Sequence, residues 1–488
     1  MSVSPELNFA GRLVRRLGPE SNLTDASTGV SISAAEVPGL IVGAAAGFIS
    51  AGLQPGEAVL ISCGLNPYST FAYLGAMYAG LVPVPIEERA FLNSGQSLYL
   101  KTCARAVWLG EESQCTWIKE VGATCFKGLF PACSTDLFDA APRAGDDLAA
   151  LMPTSGSTGT PRLVKVTHTN LTANTEAIIR SQSLGSDECA MLILPVSYCF
   201  GASVLHTHLY QGGAVVFDSR FMFPDKVLRA INTHGCTTFA GVPTVYAMLT
   251  KRSSIGSIAL PGLKRFLQAG GALDAGTIQR MRDLVPSAKF YVMYGQTEAT
   301  ARISCLPPEC LDKKIGSAGL PLDNLNVRIV DEMGAELPTT QTGEIWVAGP
   351  SICPGYFKDT EETKRKYSNG WLKTEDVGCL DEDGYLWIKG RKSDFMKIRG
   401  VRVSYSEVEA QVRATPGVFE CAAVSVPHAE AGEALALYLV PENGETELPE
   451  RVRRSLPPHW TCVAIHVVAT LPKTSNGKIA RFMLGTAA

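Results

Sequence analysis

The chain has 488 residues, of which 46% are hydrophobic and 19% charged, with a formal net charge of −3. That length exceeds one ordinary core and points to roughly two to four domains of a globular protein, while the near-neutral balance without a basic run argues against a nucleic-acid partner. The 14 cysteines are scattered, with no CxxC pair and no Cys/His metal spacing, which excludes a disulfide scaffold or zinc site and leads us to expect reduced thiols in a cytoplasmic protein.

The first twenty residues carry no apolar run behind a basic start, so no signal peptide is expected. The longest apolar stretch, residues 39–53, is too short for a bilayer and is broken by glycine and serine. Residues 59–66 read as a buried strand, 68–80 as a mostly apolar helix, and 213–219 and 289–295 as further short strands ending at polar or glycine turns. Alternating helices and strands predict α/β layers with parallel strands. From about residue 325 the pattern changes to alternating segments with Gly and Asp-Glu turns, "NVRIVDEMGAEL", "GEIWVAG" and "GYLWIKG", which predicts a smaller β-rich unit. The charged, glycine-flanked stretch "GRKSDFMKIRG" (390–400) is a candidate boundary. A helix after it is expected to start at a Ser406/Glu409 capping box and to stop at Pro416–Gly417. Strands at 418–426 and 434–440, a helix at 447–455 and a strand at 462–468 complete a compact α+β unit. The expected division is a core over 1–392 and a small mobile domain over 393–488.

The stretch "TSGSTGTPR" (154–162) places seven hydroxyl or glycine residues in a row after an apolar strand start, with Lys165 close behind. Glycines let backbone N–H groups approach phosphate oxygens, and hydroxyls add donors. A Walker loop is excluded, because counting from Gly156 puts Pro161 where the second glycine must stand. Taken alone the stretch also fits an ordinary surface turn.

Four later motifs follow in order: "YGQTEAT" (294–300), "TEDVG" (374–378), "GRKSDFMKIRG" and "LPKTSNGKIAR" (471–481). Together with the loop they resemble the adenylate-forming superfamily, which holds acyl-CoA synthetases, peptide-synthetase adenylation domains and luciferase-like enzymes. The resemblance covers about two thirds of the chain. It implies a large layered α/β domain and a small mobile α+β domain. It also implies ATP-dependent activation of a carboxylic acid to an acyl-adenylate, with transfer to a thiol.

Carried over residue by residue, the resemblance assigns Thr154, Ser155, Gly156, Ser157, Thr158, Gly159 and Lys165 to the phosphates of ATP. It assigns Thr158 and Glu298 to Mg2+, since a carboxylate beside three phosphates needs a cation between them. Gly270, Gly271 and Ala272 would lie along the adenine, with Tyr294 on its face and Met293, Gly295, Gln296 and Thr297 around it. Asp376 and Arg391 would hold the ribose, although the usual TGD reads TED here because of Glu375. Lys478 would stabilise charge on the α-phosphate in the transition state. The small domain would turn about a hinge near Ser393, where many relatives carry Asp or Lys. Lys397 and Gly400 would then face the thiol tunnel.

Tyr198, Cys199, Phe200, Gly241, Val242 and Ala269 are implied to line the acyl pocket. Tyr198 stands where relatives carry an aromatic or His gate. Cys199 stands where amino-acid-activating relatives carry Asp, and a thiol cannot pair a buried ammonium. An uncharged acyl or aryl acid is therefore expected. His206 and His208, two apart, read as structural, and His168 as a turn or cap residue. The acceptor that the resemblance implies is CoA, with the phosphopantetheine of a carrier protein acting in trans as the alternative. A non-catalytic nucleotide binder and a kinase-like NTPase are the readings from other classes; Glu298 and Lys478 argue against the first, the failed Walker pattern against the second.

Overall fold

The computed structural model describes residues 4–110, 115–136, 138–154, 161–392, 394–398, 401–428, 432–442, 447–458, 460, 462–473 and 479–484. Its largest sheet has nine strands among the described residues. Six neighbours run parallel, in the order Lys289–Tyr294, Arg265–Gln268, Thr238–Gly241, Cys189–Leu192, Ala214–Phe217 and Leu23–Asp25. Antiparallel strands close both edges, Ser304–Leu306 with Leu320–Pro321 on one side and Val30–Ile32 on the other. Central parallel strands are covered on both faces and so read as short unbroken apolar runs; "CAML" and "AVVF" are two of them.

A second parallel sheet of four strands has the order Val82–Glu87, Ala58–Cys63, Ala106–Leu109 and Thr124–Lys127. The expected helix at 68–80 is Pro67–Tyr78, and it packs on the apolar helix Val37–Ser50 that fills the stretch judged too short for a membrane. Leu148–Thr154 and Arg162–Thr167 form an antiparallel hairpin whose connection carries the hydroxyl-rich loop. The expected β-rich unit is an antiparallel sheet centred on Gly343–Ala348 and Trp371–Leu380.

A separate core begins at Met396. Strands Phe395–Ile398, Val401–Ser404, Gly432–Pro441 and Val418–His428 pair antiparallel, with Cys462–Val467 added in parallel. Helices Tyr405–Arg413 and Leu448–Ser455 place Val408, Val412, Leu448 and Val452 in that core. The expected Ser406/Glu409 cap is corrected: Ser404 is the N-cap, its side chain accepting from Glu407 N at 3.0 Å. Two S-x-x-E frames overlap here, and the earlier one meets the strand end. Glu409 is instead buried, bonded to Ala423 N at 3.0 Å and to Arg481 at 2.6 Å.

An aromatic cluster ties three interior strands of the large sheet to the helix beside them. Phe239, Tyr246, Phe266 and Phe290 lie with ring centroids 5.1–6.4 Å apart. Each such pair contributes about 0.5–1.5 kcal/mol beyond its buried area. The Tyr246 hydroxyl also donates to Leu267 O at 2.8 Å, which pins helix Pro243–Arg252 to the strands that end at the site.

Candidate active site

Four neighbouring parallel strands deliver the expected residues at their carboxyl ends. Gly241 and Val242 finish Thr238–Gly241, Ala269 to Ala272 follow Arg265–Gln268, and Met293 and Tyr294 close Lys289–Tyr294. Tyr198 and Cys199 follow Cys189–Leu192 and start the buried helix Cys199–Tyr210. In open α/β sheets the crevice beyond the carboxyl ends is where ligands bind.

Tyr198 and Gly270 come together across this crevice. Gly270 has φ +90°, and a Cβ there would sit 3.4 Å from the Tyr198 hydroxyl and 3.1 Å from Val242 Cγ1. The loop turns in a conformation that favours glycine and stays open to the ring opposite. Burial pushes the Tyr198 phenol well above its ordinary value, so it serves as a neutral hydroxyl. Gly295 has a different cause: a Cβ would lie 1.8 Å from Ala301 O. Only glycine lets the chain fold back to set Thr297–Ala299 as a single 3-10 turn carrying Glu298.

The ribose-type residues meet. Tyr294 Oη donates to Asp376 Oδ2 at 2.5 Å, and Arg391 Nε lies 3.4 Å from Asp376 Oδ1. Burial, and then the Asp376 charge, hold the Tyr294 phenol far above its ordinary value; Asp376 raises Arg391. Tyr294 thus reaches Asp376 with its hydroxyl, a link that no motif predicts.

Glu375, the departure from TGD, sits at φ +63°, where a Gly in the usual motif would be unstrained. Lys366 Nζ lies 2.6 Å from its Oε2, Arg365 bonds its other oxygen, and its carbonyl accepts from Lys392 N at 2.7 Å. Burial opposes its ionisation, yet Lys366 and Arg365 hold the carboxyl below its usual range.

Two site residues escape sequence reasoning. Tyr356 donates to Glu298 Oε1 at 2.5 Å, and burial, then the Glu298 charge, raise its phenol. It is brought there by chain pairing, since Val164 bridges Tyr356 and Lys165 N donates to Gly355 O at 2.9 Å. Arg302 is buried, its guanidinium 5.1 Å over the Phe200 ring with Nη1 against Met293 Sδ. Burial brings its pKa down to about 10. Arg302 stands two residues beyond "YGQTEAT", and none of the quoted motifs marks Tyr356.

Thr154 and Lys165 flank the loop, on the two strands of its hairpin. Ser155, Gly156, Ser157, Thr158 and Gly159 lie outside the described residues, as do Ser393, Gly400 and Lys478. The segment that holds Lys478 is bracketed by a bridge between Lys473 and Ile479. Lys397 is in strand Phe395–Ile398. His206 and His208 are buried on helix Cys199–Tyr210, and His168 starts helix His168–Gln182 with its Nδ1 accepting from Phe9 N at 3.0 Å. Among the described residues no group of three His, Cys, Asp or Glu could hold a metal, and all 14 cysteines are free of disulfides.

The pattern of the family described as "AMP-binding enzyme" matches residues 19–357, and that of its C-terminal domain matches residues 407–478. The chain belongs to this AMP-binding enzyme family. Feruloyl-CoA synthase of an Amycolatopsis species is 31% identical over 93% of this chain and 93% of its own. 4-coumarate–CoA ligase 1 of Solanum tuberosum is 27% identical over 90% and 85%. ATP-bound MatB from Rhodopseudomonas palustris superposes with a TM-score of 0.87 at 26% identity, covering 98% of each chain. At 24% identity the Bacillus subtilis o-succinylbenzoate CoA synthetase, with a TM-score of 0.86 over 100% and 99%, supports the fold.

Proposed function

We infer that this chain is an AMP-forming acid–thiol ligase that activates an acyl or aryl carboxylic acid with ATP and passes it to CoA. In the first step a carboxylate oxygen attacks the α-phosphorus, the bond to the bridging oxygen of the β-phosphate breaks, and pyrophosphate leaves with that electron pair. In the second a thiolate attacks the acyl carbon and AMP leaves with the carbon–oxygen pair. The observation that carries the reading is the grouping of Tyr294 and Arg391 on Asp376, with Arg391 also within reach of the charge of Glu298, which Tyr356 holds.

The chain's own residues divide the work. Asp376, flanked by Arg391, is a carboxylate ready to accept two ribose hydroxyls. Gly270 and Tyr198 bound the place where the acid approaches, and the neutral Tyr198 hydroxyl can donate to it. Tyr356 holds one oxygen of Glu298, and the other carries no hydrogen bond among the described residues. That fits Mg2+, which is usually held by one or two carboxylates together with substrate phosphates. Glu298 and Thr158 would hold it, where it neutralises phosphate charge.

Residues 393–488 act as the moving domain in this proposal. They bring Lys478 to the α-phosphate for the first step and present the Lys397–Gly400 segment for the second. Conformational exchange of this kind commonly takes μs–ms. No helix among the described residues is long and apolar enough to cross a membrane, and the free thiols suit a cytoplasmic setting.

The test is ATP–pyrophosphate exchange over a panel of acids, with product analysis using CoA against a phosphopantetheinylated carrier protein. Lys478→Ala is expected to cut exchange by about 10²–10³-fold, the usual effect of losing one transition-state charge partner. Near wild-type exchange in that variant removes Lys478 from the mechanism. Thioester formation on the carrier alone replaces CoA as acceptor.

A further inference from the structure

Arg302 is the charged group in the crevice that neither half-reaction uses. Its backbone is clamped by one side chain, with Asn174 Nδ2 donating to Arg302 O at 2.9 Å and Asn174 Oδ1 accepting from Arg302 N at 3.2 Å. That clamp fixes where the side chain starts. The guanidinium lies over Phe200 and against Met293, two residues of the crevice floor.

A buried guanidinium ordinarily has an acid. Arg265, 8% exposed, is the control within this molecule, since its Nη1 lies 2.7 Å from Glu188 Oε2. Arg302 is 2% exposed, yet among the described residues no carboxylate lies within ion-pair distance of it. The charged or ionisable groups that face it are Tyr198, Cys199 and Cys305, all neutral in their ordinary state. A thioether is a weak acceptor, and a cation–π contact returns only part of the desolvation cost of an ion. Packing alone would be served better by methionine or leucine of similar length.

We propose that Arg302 receives a second carboxylate at the far end of the acid, so that the substrate is a dicarboxylic acid activated at one end and anchored at the other. This rests on the reading of the crevice as an acid-activating site. It changes the expectation of an uncharged acyl body, which came from Cys199 and the apolar lining alone. A planar five-donor guanidinium matches a carboxylate in two parallel hydrogen bonds. The anchoring end would be desolvated against Phe200, where the pairing is least screened.

The experiment uses the full chain and matched acids, each a monocarboxylic acid and the dicarboxylic acid of the same length, in aliphatic and aryl series. Exchange kcat/KM is expected to favour the diacid by about 10–150-fold, the worth of one hydrogen-bonded charge contact. Arg302→Met is expected to reverse the ranking, raising KM for the diacid and lowering it for the monoacid. Arg302→Lys should recover part of the diacid preference. Preference of the wild type for the neutral monoacids, or an unchanged ranking in Arg302→Met, overturns the proposal. Absence of exchange with every acid strikes at acid activation itself, a separate failure. If Arg302→Met does not fold, titration calorimetry of wild type with diacid and monoacid, in the presence of a non-cleavable ATP analogue, decides between the same two rankings.

Discussion

Glu375 stands where two opposing forces can be weighed. Its left-handed backbone costs a residue with a Cβ about 1–2 kcal/mol, so Glu375→Gly relieves strain directly beside Asp376. The same change removes the carboxylate that pairs Lys366, which is 5% exposed and has no other ion-pair partner among the described residues. Leaving a buried charge unpaired costs about 3–5 kcal/mol. Arg365 matters less, because it is half exposed and keeps Glu362 at 2.7 Å. The flexible glycine also adds about 0.5–1 kcal/mol of chain entropy to be lost on folding. The balance predicts that Glu375→Gly destabilises the large domain by about 2–4 kcal/mol. In the double variant with Lys366→Met the orphaned charge is gone, and at least half of that loss should return. Urea unfolding followed by circular dichroism measures both. A single variant as stable as the wild type or more so would refute the reasoning, because backbone strain would then outweigh the buried pair.

Tyr356→Phe removes the hydrogen bond to Glu298 while leaving the ring; exchange should fall about 10-fold or more, with Mg2+ needed at higher concentration in a titration. Asp376→Asn should raise the KM for ATP by about 10–100-fold at saturating acid, with a smaller change in the KM for the acid. Acid should also unfold this protein early. Burial holds His168 and His206 at about 3 and His208 at about 4, against about 6.5 unfolded. A depressed folded pKa means that the unfolded chain binds more protons, so this stability is complete above about pH 6.5 and is lost as pH falls towards 3–4. Between pH 7 and 5 each histidine should account for a loss on the order of 2 kcal/mol. Urea unfolding of His206→Leu should show a shallower pH slope, by one proton, than the wild type; an equal slope would remove His206 from the account.

The residues proposed for the nucleotide were chosen from their order along the chain, and the structure brings Tyr294, Asp376 and Arg391 together. Phosphate and ribose chemistry restricts the residue types that can stand at a given place, so glycine, hydroxyl and acidic positions keep a readable sequence. Gly295 is held for a separate, steric reason, since Ala301 O leaves no room for a side chain there. The strand and helix limits are legible for a related reason: buried parallel strands are short apolar runs, and helices of the small domain keep one apolar face. The capping position is not, because Ser404 and Ser406 offer the same local pattern and only the preceding strand decides between them.

Partnership across the fold was decided by tertiary structure alone. Glu409 looks like a solvent-facing acid on its helix, yet it meets Arg481, 72 residues away. Tyr356 reaches Glu298 from 58 residues on, and Glu375 is tolerated because Lys366 and Arg365 converge on it. Arg302 is plain in composition, and its meaning came only from burial without an acid beside it. Local chemistry can be written into a few consecutive residues. The desolvation of a charge, and the group that answers it, depend on every segment that closes around the place.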